Sequence, residues 1–572
     1  MNAIHRVLYY AFFITSIGML LACTHTPTNK IDSLTLTPAF PTQQHPSTTF
    51  SASIIASPLA YQDAAQQSDI IVPTENGRIA ALNADNGQEE WQLQLPVVPG
   101  QEAELIATPI IVADQLVVSY QTLDHGTRNS HKLLVIDLTT GKLNNAFQPL
   151  TLSASKPSSD GNVQITFDSA HAYSHAALKM VTDTKQHQLI YLGFGNASDV
   201  QPFHGWLFEV DLTDWHDHGV DHAIKNVLLT TPEAKCPVKM EYGTQEMICG
   251  GGIWTPSGIA ITGHGDTSEL LIATGNGQVD LARKDYANAL LRMKPGLQFD
   301  AGCDATLCAN FNPVKPNEAC LASCKNLFIP RLAPDNLPIK PPYHECDDKD
   351  FWECLAWMDY DLGANTPVKL QLNNGQSVII QPGKDGGAYL IDAQHLGIQY
   401  DRLQIAKLCG SPTDLCKLSW AGMIVTQPIV TQANDIPIVI IPTFSADKTH
   451  PAGLVALTVS LSTGKPKLKE LWRFPAPNHA NALNMFRSHP SFPVLTTYIG
   501  NEAIVWLVDI GEHGTIYGVR AKDGVLVAEQ KLAGSGRQLS MPIIIGQRIY
   551  VASKMPTTGK AMIEAFTIEL KQ

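Results

Sequence analysis

The sequence predicts an all-β fold: an eight-bladed β-propeller with four-stranded antiparallel blades, closed by an N-terminal strand that joins the last blade. Three observations carry this prediction. The chain has 572 residues, far more than one hydrophobic core accommodates. Short alternating apolar segments recur at intervals of about 40 to 60 residues. Asn-Gly and Thr-Gly pairs separate them, as tight antiparallel hairpins favour. Separate β-sandwich domains are the structural alternative.

The N-terminal segment predicts export. Residues 1–22 place Arg6 before an apolar run that ends in Leu-Leu-Ala, and Cys23 follows, which is the layout of a signal peptide. The cysteine also resembles a bacterial lipobox. That resemblance implies lipidation of Cys23, and Thr24 after it favours an outer-membrane anchor that faces the periplasm. A spanning helix is the alternative, but the apolar run of ~15 residues is short for it.

Residues 23–50 are rich in Thr and Pro, a composition typical of an extended tether. We therefore expect the propeller to occupy 51–572, with Ser51–Tyr61 as the strand that closes the ring and removes its free edges. The formal charge is −13. Nucleic-acid binding needs a basic surface that neutralises phosphates, so the charge argues against a nucleic-acid partner.

Ten cysteines remain once Cys23 is assigned to lipid. An even number in an oxidising compartment predicts up to five disulfides. The sequence contains no Cys-x-x-Cys-His motif, so no c-type haem is expected. Four of the ten are alternatively a zinc site, and their pairing stays open: Cys303, Cys308, Cys320 and Cys324. The others fall in neighbouring pairs: Cys236 and Cys249, Cys346 and Cys354, Cys409 and Cys416.

The clearest repeat unit is Asp69–Leu95, DIIVPTENGRIAALNADNGQEEWQLQL. It contains an apolar strand, an Asn-Gly turn, an alternating strand, a second Asn-Gly turn and then Trp91. Related segments recur along the chain, several of them opening with a proline at the first strand. The eight copies start near residues 69, 108, 161, 254, 365, 426, 488 and 540.

This repeat resembles that of the pyrroloquinoline quinone (PQQ) propellers. Two groups of proteins share it. Quinoprotein alcohol dehydrogenases bind PQQ and Ca²⁺, whereas scaffolds such as the lipoprotein of the outer-membrane β-barrel assembly machinery are not enzymes. The repeat encodes only blades, so the residues that face the central channel must distinguish an enzyme from a scaffold.

The stretch 250–277, GGGIWTPSGIAITGHGDTSELLIATGNG, predicts one hairpin. It resembles the dehydrogenase pattern Gly-x-x-Trp-x-x-Pro followed by Thr-Gly-Asn. The resemblance implies that Trp254 is the floor on which PQQ stacks and that Asn276 is a Ca²⁺ ligand. A planar ring suits an aromatic face, and Ca²⁺ takes oxygen ligands. The alternative is a buried blade tryptophan and a turn asparagine.

The segment 347–367, DDKDFWECLAWMDYDLGANTP, resembles the polyvinyl-alcohol-dehydrogenase-like branch. Its match implies that Asp350 is the catalytic base and a Ca²⁺ ligand, since removing an alcohol proton requires a base. Asp359 and Asp361 are the fallback, and a solvated acidic loop is the alternative. The run QPGKDGGAY resembles the stretch that brings a basic residue to the quinone oxygens, here Lys384.

The remaining features depart from the family pattern. Asp199 is the implied third Ca²⁺ ligand, but His204 stands where an arginine is usual. Many of these dehydrogenases carry adjacent cysteines over the quinone, and this sequence has no Cys-Cys pair. A Cys-rich insertion at about 299–353 leads into Asp350. Such long insertions are usually functional, so we expect a disulfide-stapled cover over a channel mouth, or alternatively a docking surface.

Together these features predict PQQ- and Ca²⁺-dependent oxidation of an alcohol by a membrane-anchored periplasmic protein, with a separate electron acceptor. The alternative is a non-enzymatic propeller scaffold whose partners are envelope proteins. A hydrolase is disfavoured because the sequence has no Gly-x-Ser-x-Gly elbow. The enzyme hypothesis requires four residues to meet at one end of the channel: Trp254, Asn276, Asp350 and Lys384.

Overall fold

The structure is a computed structural model. It describes residues 33–571 except for 197–202, 233–249, 278, 312–316, 332–359, 361, 408–425, 434, 445–446, 462–463, 487–489, 498–501, 512–513 and 537–539. Among the described residues, no helix combines the length and the hydropathy needed to cross a membrane.

Eight antiparallel sheets follow one another along the chain and form the blades of a propeller, as the sequence predicts. Blade 1 contains Leu59–Gln62, Ser68–Pro73, Arg78–Asn83 and Glu89–Gln94, and blade 2 contains Gln101–Glu104, Ile110–Val112, Gln115–Asp124, Thr127–Asp137, Lys142–Leu143 and Leu150–Thr151. Blade 3 contains Lys179–Thr182, Gln188–Phe194, Trp206–Asp211 and Ile224–Leu229. Blade 4 contains Ala260–Thr262, Glu269–Ala273, Leu290–Met293 and Leu327–Phe328.

Blades 5 to 8 complete the ring. Blade 5 contains Val368–Gln371, Ser377–Pro382, Gly387–Asp392 and Gln399–Gln404, and blade 6 contains Ile429–Ala433, Ile436–Thr443, Gly453–Ser460 and Lys467–Phe474. Blade 7 contains Val494–Thr497, Ala503–Asp509, Thr515–Arg520 and Leu526–Lys531. Blade 8 contains Ser535–Gly536, Ile543–Ile545, Arg548–Lys554 and Ala561–Leu570, joined by Leu34–Phe40 and Thr49–Phe50 from the N-terminal part of the chain.

Small elements connect the blades. Two short hairpins are formed by Ser155–Pro157 with Gln164–Thr166 and by Val279–Asp280 with Asp285–Tyr286. The described helices are Leu212–His218, Glu318–Ser323 and Ala482–Met485, with 3₁₀ turns at Val220–His222, Gly265–Thr267 and Leu362–Ala364.

The tryptophan of the repeat and a glycine in a turn of the next blade dock successive blades onto each other. Trp91 of blade 1 lies against Gly141 of blade 2, where an added Cβ would come within 2.5 Å of the indole. Trp472 of blade 6 meets Gly524 of blade 7 in the same way, at 2.6 Å. Both glycines have positive φ, 65° and 73°, which L side chains rarely adopt. Steric fit and backbone conformation therefore both select glycine at these turns.

Eight hydrophobic clusters among the described residues fill the junctions between neighbouring blades. Burial at every junction, including the one between the last blade and the first, makes the propeller a closed ring. One pair from each cluster, in ring order, is Ile71 and Val118, Val135 and Ile190, Leu207 and Ile272, Leu290 and Ile379, Ile380 and Val439, Ile440 and Val505, Val508 and Ile549, and Ile563 and Ile70.

An N-terminal strand closes the last blade, but it is not the predicted segment. Leu34–Phe40 pairs antiparallel with Ala561–Leu570, while Leu59–Gln62 is the first strand of blade 1. The expectation of a tether through residue 50 and closure by Ser51–Tyr61 is therefore wrong. Apolar residues alternate with threonine in Leu34–Phe40, and its Leu34, Leu36 and Phe40 are buried. This period of two marks a half-buried strand despite a Thr- and Pro-rich composition.

The described part of the Cys-rich insertion contains two nested disulfides, Cys303–Cys324 and Cys308–Cys320. The zinc alternative for these four residues is wrong, because their sulfurs are bonded to each other. The other six cysteines of the predicted pairs lie outside the described residues. The stapled segment packs on blade 5, where the Gly397 amide donates to the Cys324 carbonyl oxygen at 2.8 Å.

Candidate functional site

Trp254 stands at the end of the propeller where the first strands of the blades begin. It precedes Ala260–Thr262 of blade 4 and remains half-buried. Its pyrrole edge lies against glycines, because a Cβ on Gly275 would be 3.2 Å from the indole Nε1 and one on Gly195 would be 3.2 Å from the Trp254 Cβ. The Gly275 amide also donates to the Gly252 carbonyl oxygen at 2.7 Å. The glycine-rich motif therefore forms a close seat for the indole.

Lys384 reaches the same indole from the neighbouring blade. It lies in the turn between the second and third strands of blade 5, at the same end of the blade as the start of its first strand. Its Nζ is 4.7 Å from the centroid of the Trp254 ring, within cation–π range. The side chain is buried. Trp254 and Lys384, which are 130 positions apart by their residue numbers, are thus brought together.

A buried network holds the Lys384 turn. Asp385 accepts hydrogen bonds from the Arg402 guanidinium and, at 2.9 Å, from the Tyr389 hydroxyl. The Gln404 amide donates to the Asp385 carbonyl oxygen at 2.8 Å. Burial raises the pKa of Tyr389, and the neighbouring Asp385 raises it further, so the hydroxyl remains a donor. These contacts fix the backbone from which Lys384 extends.

Asn276 lies beside the tryptophan seat, directly after Gly275. Its side chain is buried. Its backbone carbonyl oxygen accepts a hydrogen bond from the Gly251 amide at 2.9 Å. A bridge between Gly250 and Gly277 closes the motif. Trp254, Asn276 and Lys384 therefore occupy one end of the propeller.

The acidic residues of the predicted site are not described. Asp350, with its fallbacks Asp359 and Asp361, and Asp199 lie outside the described residues, as does Cys23. Of the three predicted Ca²⁺ ligands, only Asn276 has a known position. The Ca²⁺ assignment consequently stays a prediction.

Sequence reasoning missed His175, which faces the Trp254 ring. The two rings are parallel to within 8°, with centroids 6.4 Å apart. His175 stands two residues before Ala177, as Trp254 stands two residues before Pro256, and the Ala177 amide donates to the Pro256 carbonyl oxygen at 3.2 Å. The strand register does not make the two positions equivalent. Lys179 and Ala260 hold matching places opposite Tyr191 and Leu271, and they follow His175 by four residues and Trp254 by six. No motif in the sequence identifies His175.

A cavity lies near this end of the propeller. Its volume is about 310 Å³, and residues at the starts of the first strands of seven of the eight blades line it, with Ala177, Leu178 and Lys179 from blade 3. His175, a few residues earlier, is not part of the lining; burial lowers its pKa to about 4, yet the ring remains partly accessible to solvent. Lys179 also lines the cavity, and burial lowers the pKa of its ammonium group.

His204, which replaces the usual arginine, contacts backbone. Its Nδ1 lies 2.6 Å from the Thr231 carbonyl oxygen. Elsewhere among the described residues, His187, Asp211 and Asp214 lie close enough to share a metal ion. However, Asp211 caps a helix and Asp214 pairs with Lys225, so existing contacts account for both carboxylates.

The stapled insertion does not cover this end of the channel in its described part. It packs on Gly397, in the turn after the third strand of blade 5. Lys384 lies in the turn before that strand, so the strand separates the two turns. The stapled segment therefore does not lie over the mouth that holds Trp254. The continuation at 332–359 lies outside the described residues, so the expected cover stays a prediction.

Comparisons with known proteins agree with the propeller. The family model of the outer membrane protein assembly factor BamB matches residues 43–166. The solved structure of a europium-containing methanol dehydrogenase is similar at 13% identity and a TM-score of 0.51, covering 94% of this chain and 93% of that one. At this identity the likeness shows the fold alone.

Two further solved structures resemble the chain more weakly. A quinohemoprotein alcohol dehydrogenase from Pseudomonas putida HK5 has 12% identity and a TM-score of 0.49, covering 94% of this chain and 76% of that one. BamB from Moraxella catarrhalis has 8% identity and a TM-score of 0.31, covering 81% and 98%. A search of curated protein sequences returned no match.

Proposed function

We propose that this protein oxidises an alcohol with PQQ and Ca²⁺, in the periplasm, while anchored to the outer membrane through Cys23. The observation that carries the proposal is the placement of the Lys384 ammonium 4.7 Å from the Trp254 ring, at the channel end that also holds Asn276. An aromatic face beside a fixed positive charge suits a flat molecule with carbonyl or carboxylate oxygens.

The residues present fit PQQ. Its conjugated rings would stack on the indole face of Trp254, and the Lys384 ammonium would donate to an oxygen of the quinone. The glycines lie close under the indole: a Cβ added at Gly275 would be 3.2 Å from the Trp254 Nε1, tight enough to require a shift of a few tenths of an ångström. For Ca²⁺, the Asn276 side-chain oxygen is a suitable hard ligand, with Asp199 and Asp350 proposed beside it.

Each residue has a distinct role in the proposed reaction. PQQ, when bound, supplies the acceptor for the hydride of the alcohol. The Asp350 carboxylate takes the hydroxyl proton. Lys384 would hold positive charge next to a quinone oxygen, and the Asp385–Arg402 network fixes the turn that carries that lysine. Both electrons must then leave to a separate acceptor, since the chain has no haem attachment motif.

The match of residues 43–166 to the BamB family model favours a second candidate. In it the propeller is a lipoprotein scaffold for envelope proteins and has no cofactor. Blades and their docking turns suffice for such a role, and it requires no particular residue at Trp254 or Lys384.

Reconstitution of the purified protein tests the proposal. The protein is incubated with PQQ and Ca²⁺, and dye reduction is followed with a panel of alcohols. We expect turnover that falls by about 100-fold or more in Lys384→Met, as when an oxyanion donor is removed, and is abolished in Asp350→Ala. Lys142→Met, at an exposed strand end of blade 2, is the matched control.

Two results decide between the candidates. If equilibrium dialysis with Ca²⁺ detects no PQQ on micromolar wild-type protein, the enzyme proposal is wrong and the scaffold remains. If PQQ binds but Trp254→Ala and Lys384→Met bind it as tightly as the wild type, PQQ occupies another site and the proposed mechanism is overturned.

A further inference from the structure

We propose that the cavity at the starts of the first strands is a second binding site, which takes a small monocarboxylate with an apolar body. The Lys179 ammonium group pairs with the carboxylate, and the alkyl and aromatic side chains around it enclose the body. The described residues that line this cavity include neither Trp254 nor Lys384. The inference therefore concerns a separate site and does not rest on the proposed function.

The cavity has the size and the lining of a small-molecule site. Its volume of about 310 Å³ lies at the lower end of the range of about 300–1,000 Å³ that is typical of ligand pockets. Most of the described lining is apolar, with contributions from five different blades by Leu59, Ile110, Leu178, Phe492 and Met541. Burial of an apolar ligand body against these side chains removes both surfaces from water, which favours binding.

Lys179 is the one charged residue of the described lining, and neighbouring blades hold it in place. Directly before it, the Leu178 amide donates to the Thr108 carbonyl oxygen of blade 2 at 3.0 Å. On the other side, the alkyl stem of Lys179 lies along Gly258, where an added Cβ would be 2.9 Å from the Lys179 Cε. These contacts with the segments on both sides fix the position from which the ammonium group extends.

The lining presents hydrogen-bond donors that find no acceptor within the described part of the chain. Burial lowers the pKa of the Lys179 ammonium group, and no described acidic group offsets this effect. The Gln427 side-chain amide makes no hydrogen bond to any described residue. The Thr108 hydroxyl accepts from the Ser57 amide at 3.0 Å and keeps its own proton to donate.

These donors favour a carboxylate as the polar end of the ligand. A carboxylate carries one negative charge, which one ammonium group neutralises, and its two oxygens accept several hydrogen bonds. A phosphate monoester carries a charge of about −1.5 to −2 at pH 7 and would require a second cation. An uncharged ligand would leave the partly desolvated ammonium group without a counter-ion.

Equilibrium dialysis of the purified protein with radiolabelled hexanoate, in the absence of PQQ, tests the site. We expect Lys179→Met to bind hexanoate about 10-fold more weakly than the wild type, because it loses a hydrogen bond to a charged group. Hexanamide keeps the apolar body without the charge, so wild type and Lys179→Met should bind it equally. Lys142→Met, at an exposed strand end of blade 2, is the control and should bind hexanoate like the wild type.

Several outcomes would overturn the proposal. The site is wrong if the wild type binds no hexanoate, or if Lys179→Met binds it as tightly as the wild type. Equal affinity for acetate and hexanoate would show that the apolar lining takes no part. Displacement of hexanoate by PQQ would make the cavity part of the cofactor site. None of these results removes the proposed function, which is tested by PQQ binding and turnover.

Stability measurements keep the comparison valid. Lys179→Met should unfold at a temperature no lower than the wild type, because it removes a partly desolvated charge that has no described partner. If this variant misfolds, Ala177→Leu carries the comparison, since it adds bulk to the cavity lining without changing the charge. Ala177→Leu should weaken hexanoate binding, and an unchanged affinity would place the ligand elsewhere.

Discussion

Replacing Arg402 by methionine should strongly destabilise the protein, because it isolates a buried carboxylate. Arg402 and Asp385 pair with side chains that are both 1% exposed. Methionine keeps most of the aliphatic length of arginine, so packing changes little while the charge disappears. Asp385 would lose its guanidinium partner and keep the neutral donors that the Tyr389 hydroxyl and the Gly387 amide provide.

The expected magnitude follows from the burial of the pair. Removing one partner of a buried ion pair costs about 3–5 kcal/mol, whereas removing both charges together is often close to neutral. Arg402→Met and Asp385→Asn should each lower the free energy of unfolding by that amount. The double variant should be more stable than either, with a coupling energy of about 2 kcal/mol or more.

Urea unfolding followed by tryptophan fluorescence provides the free energies for this cycle. Arg283→Met is the matched control, since the Arg283 side chain is 51% exposed, and its loss should cost about 1 kcal/mol or less. Additive effects of the two single substitutions, or a loss in Arg402→Met no larger than in the control, would refute the reasoning. In that case the contact would be solvated and would not hold the Lys384 turn.

Three further outcomes are expected. Burial lowers the pKa of His131 to about 4, so as the pH falls below about 6.5 only the unfolded state gains the proton. The free energy of unfolding should therefore fall by about 3 kcal/mol by pH 4, and His131→Phe should lack this loss. Urea unfolding at a series of pH values measures it. Deleting residues 23–41 should cost about 5 kcal/mol, because three large apolar side chains lose their burial, whereas deleting 23–32 should leave unfolding unchanged. Non-reducing peptide mapping should recover Cys308 linked to Cys320, and linkage to Cys303 would contradict the nested arrangement.

The blades could be predicted from sequence because their signals are local. In Asp69–Leu95, alternation within each strand and an Asn-Gly pair between strands specify hairpins without reference to the rest of the chain. The tryptophan and glycine of the repeat add a contact between successive blades, as Trp91 and Gly141 do. Such a signal repeats in every unit, so eight copies identify the ring even where single copies are degenerate.

The closing strand could not be located in the same way. Leu34–Phe40 has no hairpin partner nearby, since it pairs with Ala561–Leu570 at the other end of the sequence. Its composition resembles a linker, and only the alternation of leucine with threonine indicates a strand. The strand pairs with an edge of the last blade that stays open until the ring is closed. A pattern within a few neighbouring residues does not indicate such a distant partner.

The candidate site likewise contains residues that local motifs indicate and contacts that depend on the packing of different blades. Trp254 and Lys384 were identified because each lies in a motif of its own, but the contact between them depends on the junction of two blades. His175 lies in no motif, and its contact with Trp254 depends on the packing of blade 3 against blade 4. Asp385, adjacent to Lys384, belongs to a network with Arg402 whose members are brought together by the pairing of two strands.

The burial of these charged groups bears on the choice between an enzyme and a scaffold. Withdrawing an ammonium group and an ion pair from water carries a desolvation cost that apolar residues of similar volume would avoid. Blades 1, 6 and 7 form without a buried lysine at this position, so the fold itself does not require one. A propeller that acts only as a scaffold would gain stability from an apolar residue at Lys384. The presence of that buried cation beside Trp254, together with the buried network next to it, therefore supports the proposal of a ligand at this site.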